Sequence, residues 1–348
     1  MAHGKEFKAA IKVASTWATA TTCGAGDGIQ LKSGGPAGGA EAIPDETATG
    51  NLWGDPHRAG NAKYDFPIVC EGKYRGLEAL IGLGLGTSQS TPTQIEAGAY
   101  IHDFTPADSS EPIGTLVVDK SVSEWEVDSL KVASLTIRGS RGEPMEVEAQ
   151  IIGRSLARGT GVNDSTTFAS VTIPTGELAF FSQGRFRMNT QAGATLSTNI
   201  GIDSFEITID HAYDQDSFRA DGTNTKVRAE PSKDGQPRVS GRFTLDEYSA
   251  DTYRALREAL TQQKMEFQIT GSTLIGATAY PYLRVQCPYI QLPEDDPNMS
   301  GPGRVPEEIT FDAFPVSSAP TGMTITSAVQ VRIVSTLTTD PVSGNTYS

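Results

Sequence analysis

The four histidines are the residues best suited to acid–base or metal chemistry, and their spacing supports neither role. His3, His57, His102 and His211 are scattered along the chain. They form no His-Glu-x-x-His or His-x-His pattern, and none lies beside a cysteine that could share a metal ion. We therefore predict ordinary surface or packed histidines and no metal centre.

Two clusters of acidic residues are candidates for calcium binding. Asp210, Asp214 and Asp216 resemble part of a calcium loop, but the glycine and the distal glutamate of such a loop are out of register. The acidic run at 294–296 has proline on both sides, which is typical of an exposed turn. Solvated turns are the favoured interpretation of both clusters.

A pair of glutamates around a tryptophan is where glycoside cleavage would be sought. Glu124 and Glu126 flank Trp125, and such cleavage needs two carboxylates facing one sugar. Alternation along a strand favours a simpler arrangement, in which both glutamates face solvent and Trp125 is buried.

The glycine-rich segments do not form a phosphate-binding motif. GAGDG at 24–28 and GLGLG at 82–86 lack the G-x-G-x-x-G spacing and the Lys-Ser/Thr pair of a phosphate cradle. The chain contains no G-x-S-x-G elbow. The sequence thus predicts no catalytic, cofactor-binding or metal-binding residue, and we do not expect an enzyme.

Composition predicts a folded, turn-rich and acidic protein. The 348 residues carry a net charge of −14, with 36 Gly and 20 Pro. Neither half has the basic surface that binding to nucleic-acid phosphates requires. Cys23, Cys70 and Cys287 suit neither a disulfide framework nor zinc, which favours synthesis in a reducing cytoplasm. No segment has the length and apolarity of a membrane helix or the pattern of a secretory signal.

A pair of strands appears twice in the sequence. DSLKVASLTI (128–137) precedes GEPMEVEAQI (142–151), and DSFEITI (203–209) precedes GQPRVSGRF (235–243). In each copy Asp-Ser opens an alternating strand and Gly-x-Pro opens the next. A repeated strand unit without an active site indicates a building block that assembles.

The other predicted elements are mostly strands. Besides the repeated pair, alternation predicts strands that include 168–174, 177–181 and a tail run at 324–339, which could pair within its own sheet or with a neighbour. Helices are predicted at 73–86 and in DEYSADTYRALREALTQQ (246–263), with Thr244 or Ser249 as N-cap. The predicted organisation is an N-terminal arm at 1–60, a first domain at 61–160, a second at 161–316 and a C-terminal tail at 317–348.

The order of several motifs resembles the tail tube proteins of long, flexible-tailed bacteriophages. The motifs include KVASTWATA and GAGDGI, AIPDETATGN, EGKYRGLEALIGLGLGT, YIHDFTPAD, GQPRVSGRFTL, YLRVQCPYIQLPEDDP and GPGRVPEEITFDAF. Together they cover most of residues 10–315.

This resemblance implies a mainly β protein with one helix per unit. Two tail-tube-type β-sandwich or half-barrel domains would contribute inner sheets to a continuous β-barrel around a ring. It further implies stacked rings, with a homotrimer of pseudo-sixfold symmetry favoured over a homohexamer. Its partners would be a tape measure protein, tail terminator and tail tip proteins, with double-stranded DNA passing through an acidic lumen without specific binding.

Two other virion roles stay open at the level of sequence. A carbohydrate-binding or host-adhesion β-sandwich would use Trp17, Trp53 or Trp125 as sugar platforms, although only three tryptophans are present. A capsid decoration protein would share the virion but not the tube. The expected location in every case is the virion, and for the favoured role it is the phage tail.

Overall fold

A computed structural model describes residues 7–44, 56–88, 92–106, 112–219, 226–247, 251–293 and 306–342. The strands of the first half are β1 (Lys8–Ala14), β2 (Gly28–Ile29), β3 (Leu31–Gly34), β4 (Gly39–Ile43), β5 (Arg58–Glu71), β6 (Gly86–Ser88), β7 (Thr93–Glu96), β8 (Ala99–Pro106), β9 (Ile113–Asp119), β10 (Glu124–Ser140), β11 (Glu146–Gly153) and β12 (Leu156–Arg158). Those of the second half are β13 (Gly184–Thr190), β14 (Ser204–Asp210), β15 (Arg238–Leu245), β16 (Gln263–Thr270), β17 (Tyr282–Gln291), β18 (Glu307–Ala313) and β19 (Gln330–Ser335). The helices are α1 (Glu78–Leu85), α2 (Ser165–Phe168) and α3 (Thr252–Glu258), with a 3-10 turn at Phe181–Gln183.

Six antiparallel strands form a continuous run that crosses from one half of the chain to the other. Their order is β5, β11, β10, β14, β15 and β18. Side chains alternate along β5, β14, β15 and β18, along β10 from Ser134 and along β11 as far as Ile151, with apolar residues on a buried face and polar residues on the opposite face. Before Ser134, most of β10 is buried on both faces. A single hydrophobic cluster, which includes Phe66, Ile137, Phe205 and Phe311, draws on both halves.

The strands of the repeated sequence pair lie side by side in this run. β10 pairs with β11 and β14 pairs with β15, as expected for the two predicted strand pairs. β10 also pairs with β14 over seven residue pairs, from Ser134 with Asp210 to Ser140 with Ser204. The first part of β10, at 124–130, pairs instead with β9, and β-bulges separate the two parts.

The strand pairings themselves repeat along the chain. In the first half the order of paired strands is β1, β9, β10, β11 and β5, and in the second it is β13, β16, β17, β18 and β15. The last strand of the first series, β5, also pairs with β3 and β4, which precede it in the sequence. The last strand of the second series, β15, likewise pairs with β14, which precedes it. We call the two series the first and second pairing units. The domain boundaries at 61–160 and 161–316 remain a prediction.

A helix follows the corresponding strand in each unit. α1 is buried, and its glycines allow close packing: a Cβ on Gly82 would lie 2.2 Å from Val342, and one on Gly84 would lie 2.9 Å from Leu135. α3 is shorter than the predicted helix, and its Tyr253 ring packs edge-on against Phe243. The predicted N-caps are wrong, because Thr244 lies in β15 and the N-cap is Asp251; Ser249 lies outside the described residues.

Two strands predicted in the second half are wrong. The stretch 168–174 holds the end of α2 and irregular backbone, because Asp164 caps a helix with its side chain, which accepts hydrogen bonds from the amides of Thr166 and Thr167. The stretch 177–181 makes only isolated bridges to the first half. Strand β13, which pairs with β16, was not predicted from the sequence.

The glycine-rich segment that contains β3 and β4 folds back on its own chain. β3 and β4 pair with the 14-residue strand β5. Gly34 and Gly38 have positive φ angles of +89° and +120°, and a Cβ on either would lie 2.1 Å from a carbonyl oxygen of β5. Glycine is needed at both positions because any side chain would strike that backbone.

The tail strand β19 lies inside the sheet of its own chain. It pairs with β17 on one side and with β8 of the first half on the other. Buried Val331 and Ile333 belong to the hydrophobic cluster. Of the two alternatives left open by the sequence, pairing within the same chain is the one observed.

Candidate functional site

The polar face of the six-stranded run is built by both halves of the chain. Alternation leaves one side chain in two on this face, so its charge is a direct consequence of the strand sequences. It carries eight carboxylates, three guanidinium groups and the ammonium group of Lys63, which lies on the same side of β5 as Asp65 and Glu71. The carboxylates belong to Asp65, Glu71, Glu146, Glu148, Glu206, Asp210, Glu308 and Asp312, and the guanidinium groups to Arg138, Arg238 and Arg242. We call this surface the acidic face.

A network of ion pairs holds the charges of the first unit in place. Arg138 reaches Glu146 at 3.1 Å and Glu148 at 3.0 Å, and Lys32 of β3 pairs with the same Glu146. The hydrogen bond from Lys32, together with Arg138, lowers the pKa of Glu146 despite its partial burial. Glu146 therefore stays ionised below the usual range of a glutamate.

Ion pairs to arginine also hold the charges of the second unit in place. Arg242 lies 3.3 Å from Glu206 and 3.5 Å from Glu308, and these carboxylates raise its pKa. Arg238 donates two hydrogen bonds from Nη2 to Asp312, at 2.7 and 3.0 Å. These pairs are exposed and each contributes little to stability. Their effect is to fix side-chain positions on a surface that keeps an excess of carboxylates.

Glu124, Trp125 and Glu126 do not have the predicted orientation. Glu126 is only 3% exposed, and its carboxylate accepts hydrogen bonds from the amides of Val162 and Asn163 and from the Asn163 side chain. Trp125 is half-buried instead of buried. The prediction is wrong because the loop after β12 folds over Glu126 and supplies donors that an alternating pattern does not reveal.

The tryptophan rings are engaged by other side chains. Lys120 lies 3.5 Å from the centre of the Trp125 ring and the Arg158 guanidinium lies 4.4 Å from it. The indole of Trp17 donates a hydrogen bond to the carbonyl of Arg228. Trp53 lies outside the described residues. The two described rings therefore pack within the chain, which disfavours their use as sugar platforms.

Two of the four histidines have structural partners within the chain. His102 and His211 are buried and bind the carbonyl oxygens of Leu337 and Gly84, while burial lowers the pKa of His102. His57 is exposed, and His3 and the acidic run at 294–296 lie outside the described residues. In the described ranges no group of three or more His, Cys, Asp or Glu residues could hold a metal ion.

The three aspartates that resemble part of a calcium loop make separate contacts. Asp210 and Asp214 accept hydrogen bonds from the amides of Ala212 and Asp216, as in local turns. The Asp216 carboxylate pairs with Lys63 of β5. The solvated-turn interpretation agrees with this geometry.

Burial distinguishes the cysteines from reactive thiols. Cys23, Cys70 and Cys287 are free and buried. Burial raises the pKa of Cys23 and of Cys70 to about 12 and raises the pKa of Cys287 further. A thiol in such surroundings is protonated at neutral pH and is a poor nucleophile.

The chain is mainly β, its strand pairings repeat, and it presents a charged face of the sheet. A family model described as phage tail tube protein matches residues 7–313. The chain belongs to this family and has a structural role in a phage tail. No curated protein matches it. Among the described residues, no helix combines the length and apolarity needed to cross a membrane.

Proposed function

We propose that this chain is the subunit of a phage tail tube that self-assembles into stacked rings and conducts the genome during ejection. The repeated pairing unit carries the proposal, because β10 of the first unit joins β14 of the second by a regular ladder. One junction of this kind already exists inside the chain. Further junctions of the same kind between chains would extend the sheet around a ring.

The repeat supports three chains over six in each ring. A ring built from six single units and a ring built from three double units have the same number of units. Each chain contains two units joined by the β10 and β14 ladder, so three copies give pseudo-sixfold symmetry. Tape measure, terminator and tip proteins would then cap or fill the tube.

The acidic face is proposed to line the lumen. Phosphates of double-stranded DNA are repelled by carboxylates within the Debye length of about 8 Å at physiological salt. Glu71, Glu148 and Asp210 are among the carboxylates that make this face negative. A surface of this kind lets DNA pass without binding, which is the property a conduit requires.

Negative-stain microscopy of the concentrated protein tests the assembly. We expect rings or tubes, and class averages of rings should show three identical lobes, each of two similar parts. Compact monomers under all conditions, including with tail extract, would contradict the proposal. Six identical lobes would retain the tube but reject the trimer.

Charge reversal tests the lumen. Tubes of Glu71→Lys/Asp210→Lys should retain a short fluorescent duplex DNA on sedimentation at low salt and release it at high salt. The matched control, Glu247→Lys/Glu258→Lys, makes the same charge change near α3 and should retain none. Equal retention by both variants would show that the acidic face does not line the lumen.

A further inference from the structure

The turn between the second and third strands of each pairing unit has different surroundings in the two units. In the second unit this turn joins β16 to β17 and spans residues 271–281, and in the first unit it joins β9 to β10 and spans residues 120–123. The two turns correspond, because each joins antiparallel neighbours at the same place in their series. We call them the second-unit turn and the first-unit turn.

The second-unit turn is held by the segment that follows α1 in the first half of the chain. Glu96 of β7 accepts hydrogen bonds from the amide of Thr278, at 2.9 Å, from its hydroxyl, at 3.1 Å, and from the amide of Ala279. A Cβ on Gly98, between β7 and β8, would lie 2.7 Å from the carbonyl oxygen of Ile275. A contact between the units is therefore present inside the chain, made by a segment after a helix and a turn between strands.

The first-unit turn has no such cover in the described part of the chain. Val122 of this turn is 85% exposed, more than any other large apolar side chain of the described ranges. Lys120 and Arg158 lie over the ring of the neighbouring Trp125, at 3.5 and 4.4 Å from its centre, and neither makes an ion pair with a described residue. The single chain thus leaves this turn without the partner that the second-unit turn has.

The segment after α3 is the counterpart of the segment after α1. Each helix follows the last strand of its series, β5 for α1 and β15 for α3. After α1 the chain forms β6, β7 and β8 before it reaches β9, whereas only residues 259–262 separate α3 from β16. Leu260 in this short segment has a φ of +47° and is 56% exposed, second only to Val122 among the large apolar side chains described.

We propose that the first-unit turn docks through Val122 on Leu260 of a second copy of this chain. This contact repeats between copies the one made inside the chain, in which the segment after the helix of one unit holds the turn of the other. Both side chains are exposed in the single chain, so their contact requires two copies. The cations of Lys120 and Arg158 favour a partner of opposite charge, and a second copy has a net charge of −14. The inference rests on the proposed self-assembly and names a contact through which neighbouring copies meet.

The direction of this contact is compatible with a closed ring. Inside the chain the turn of the second unit lies on the first half, and between chains the turn of the first unit would lie on the second unit of the next copy. Each copy thus offers one turn to one neighbour and one receiving segment to the other. Such a head-to-tail contact closes when the last copy reaches the first.

A charge placed in the contact tests the proposal through assembly. Val122→Asp puts a carboxylate against an apolar side chain, which is unfavourable when the contact excludes water. Leu274→Asp is the matched control, because Leu274 is 46% exposed in the second-unit turn, which is already held within the chain. With both variants folded by circular dichroism, Val122→Asp should raise the concentration needed for tube formation at least about tenfold, the equivalent of 1.4 kcal/mol, and Leu274→Asp should leave it unchanged. Assembly of Val122→Asp at the wild-type concentration would overturn the proposal.

Cross-linking of mixed chains locates the contact and does not depend on the Asp variants. Val122→Cys and Leu260→Cys are made in separate chains, mixed, assembled and treated with a bis-maleimide, to which the three buried native cysteines are inaccessible. We expect covalent dimers from this mixture, and none from either variant alone or from Leu274→Cys mixed with Leu260→Cys. Dimers from Val122→Cys alone, or none from the mixture although tubes form, would overturn the inference and leave the tube intact. A wild-type chain that forms neither rings nor tubes would reject the proposed function and this inference with it.

Discussion

The hydroxyl oxygens of Thr136 and Thr208 lie 2.9 Å apart across the ladder between β10 and β14. The two residues are direct partners in that ladder, and their neighbours also correspond, with Leu135 opposite Ile209 and Ile137 opposite Ile207. The pair therefore lies within the junction between the two pairing units, as the third of its seven residue pairs. Because one such junction exists inside the chain, its stability can be measured in the monomer.

Loss of the threonine hydroxyls should weaken this junction. Thr136→Val and Thr208→Val keep the shape and the preference for a strand, so each should lower the free energy of unfolding by about 0.5–1.5 kcal/mol through the lost hydrogen bond. The double variant should lose less than the sum of the two, because both remove the same bond. Urea unfolding of the wild type, the two single variants and the double variant measures the free energy of coupling between the two threonines. Thr310→Val on β18 is the control, and additive losses would show that the bond does not couple the units.

The repeated sequence pair predicted four strands correctly but did not predict that the two copies pair with each other. Alternation shows which residues share a face, and it carries no information on which strand is the neighbour. An acidic lumen was predicted, but the residues of the acidic face could not be assigned, for the same reason. Its carboxylates are spread over more than 200 residues of the sequence, and only the order of strands brings Glu71 and Glu308 onto one surface.

Errors in individual elements trace to local contacts that outweigh strand propensity. The run FASVTIP at 168–174 has strand-forming residues, yet the Asp164 cap begins a helix just before it. β13 was missed because only Phe186 among its seven residues is buried, so GRFRMNT shows little apolar alternation. Arg228 could not be assigned from sequence, because its partner Asp65 is 163 residues away.

Glycine at position 38 should be required for β4 to lie against β5. Gly38→Ala places a Cβ 2.1 Å from the carbonyl oxygen of Lys63 at a φ of +120°, and should cost about 1–3 kcal/mol or detach β4. Gly39→Ala is the matched control, because a Cβ there has nothing within 4 Å. Urea unfolding and amide hydrogen exchange of β4 measure the two effects. Similar losses for both variants would contradict the assignment.

Asp65 should matter more than an acid whose arginine partner is exposed, because Arg228 is fully buried. Asp65→Asn removes the carboxylate from this guanidinium, and since the Asp65 side chain is itself 36% exposed, the free energy of unfolding should fall by about 1.5–3 kcal/mol. Asp312→Asn is the control, since its partner Arg238 is 68% exposed and the loss should be under about 1 kcal/mol. Chemical denaturation compares them, and equal losses would show that the Arg228 pair is not desolvated in solution.

Glu177 should contribute stability that is lost in acid. Burial alone would raise the pKa of Glu177, but the hydroxyl and amide of Ser272 and the amide of Thr273 donate hydrogen bonds to it and lower the pKa from 4.5 to about 2. A folded-state pKa below the unfolded one gives stabilisation that is complete above about 4.5 and decreases as the pH falls toward 2. Glu177→Gln should therefore lower the melting temperature at pH 7, and the difference from wild type should shrink steadily between pH 5 and pH 3. Glu258→Gln, on the exposed surface of α3, should show no such convergence. A difference between Glu177→Gln and wild type that stays constant with pH would show that the carboxylate of Glu177 is not held in its charged form by these donors.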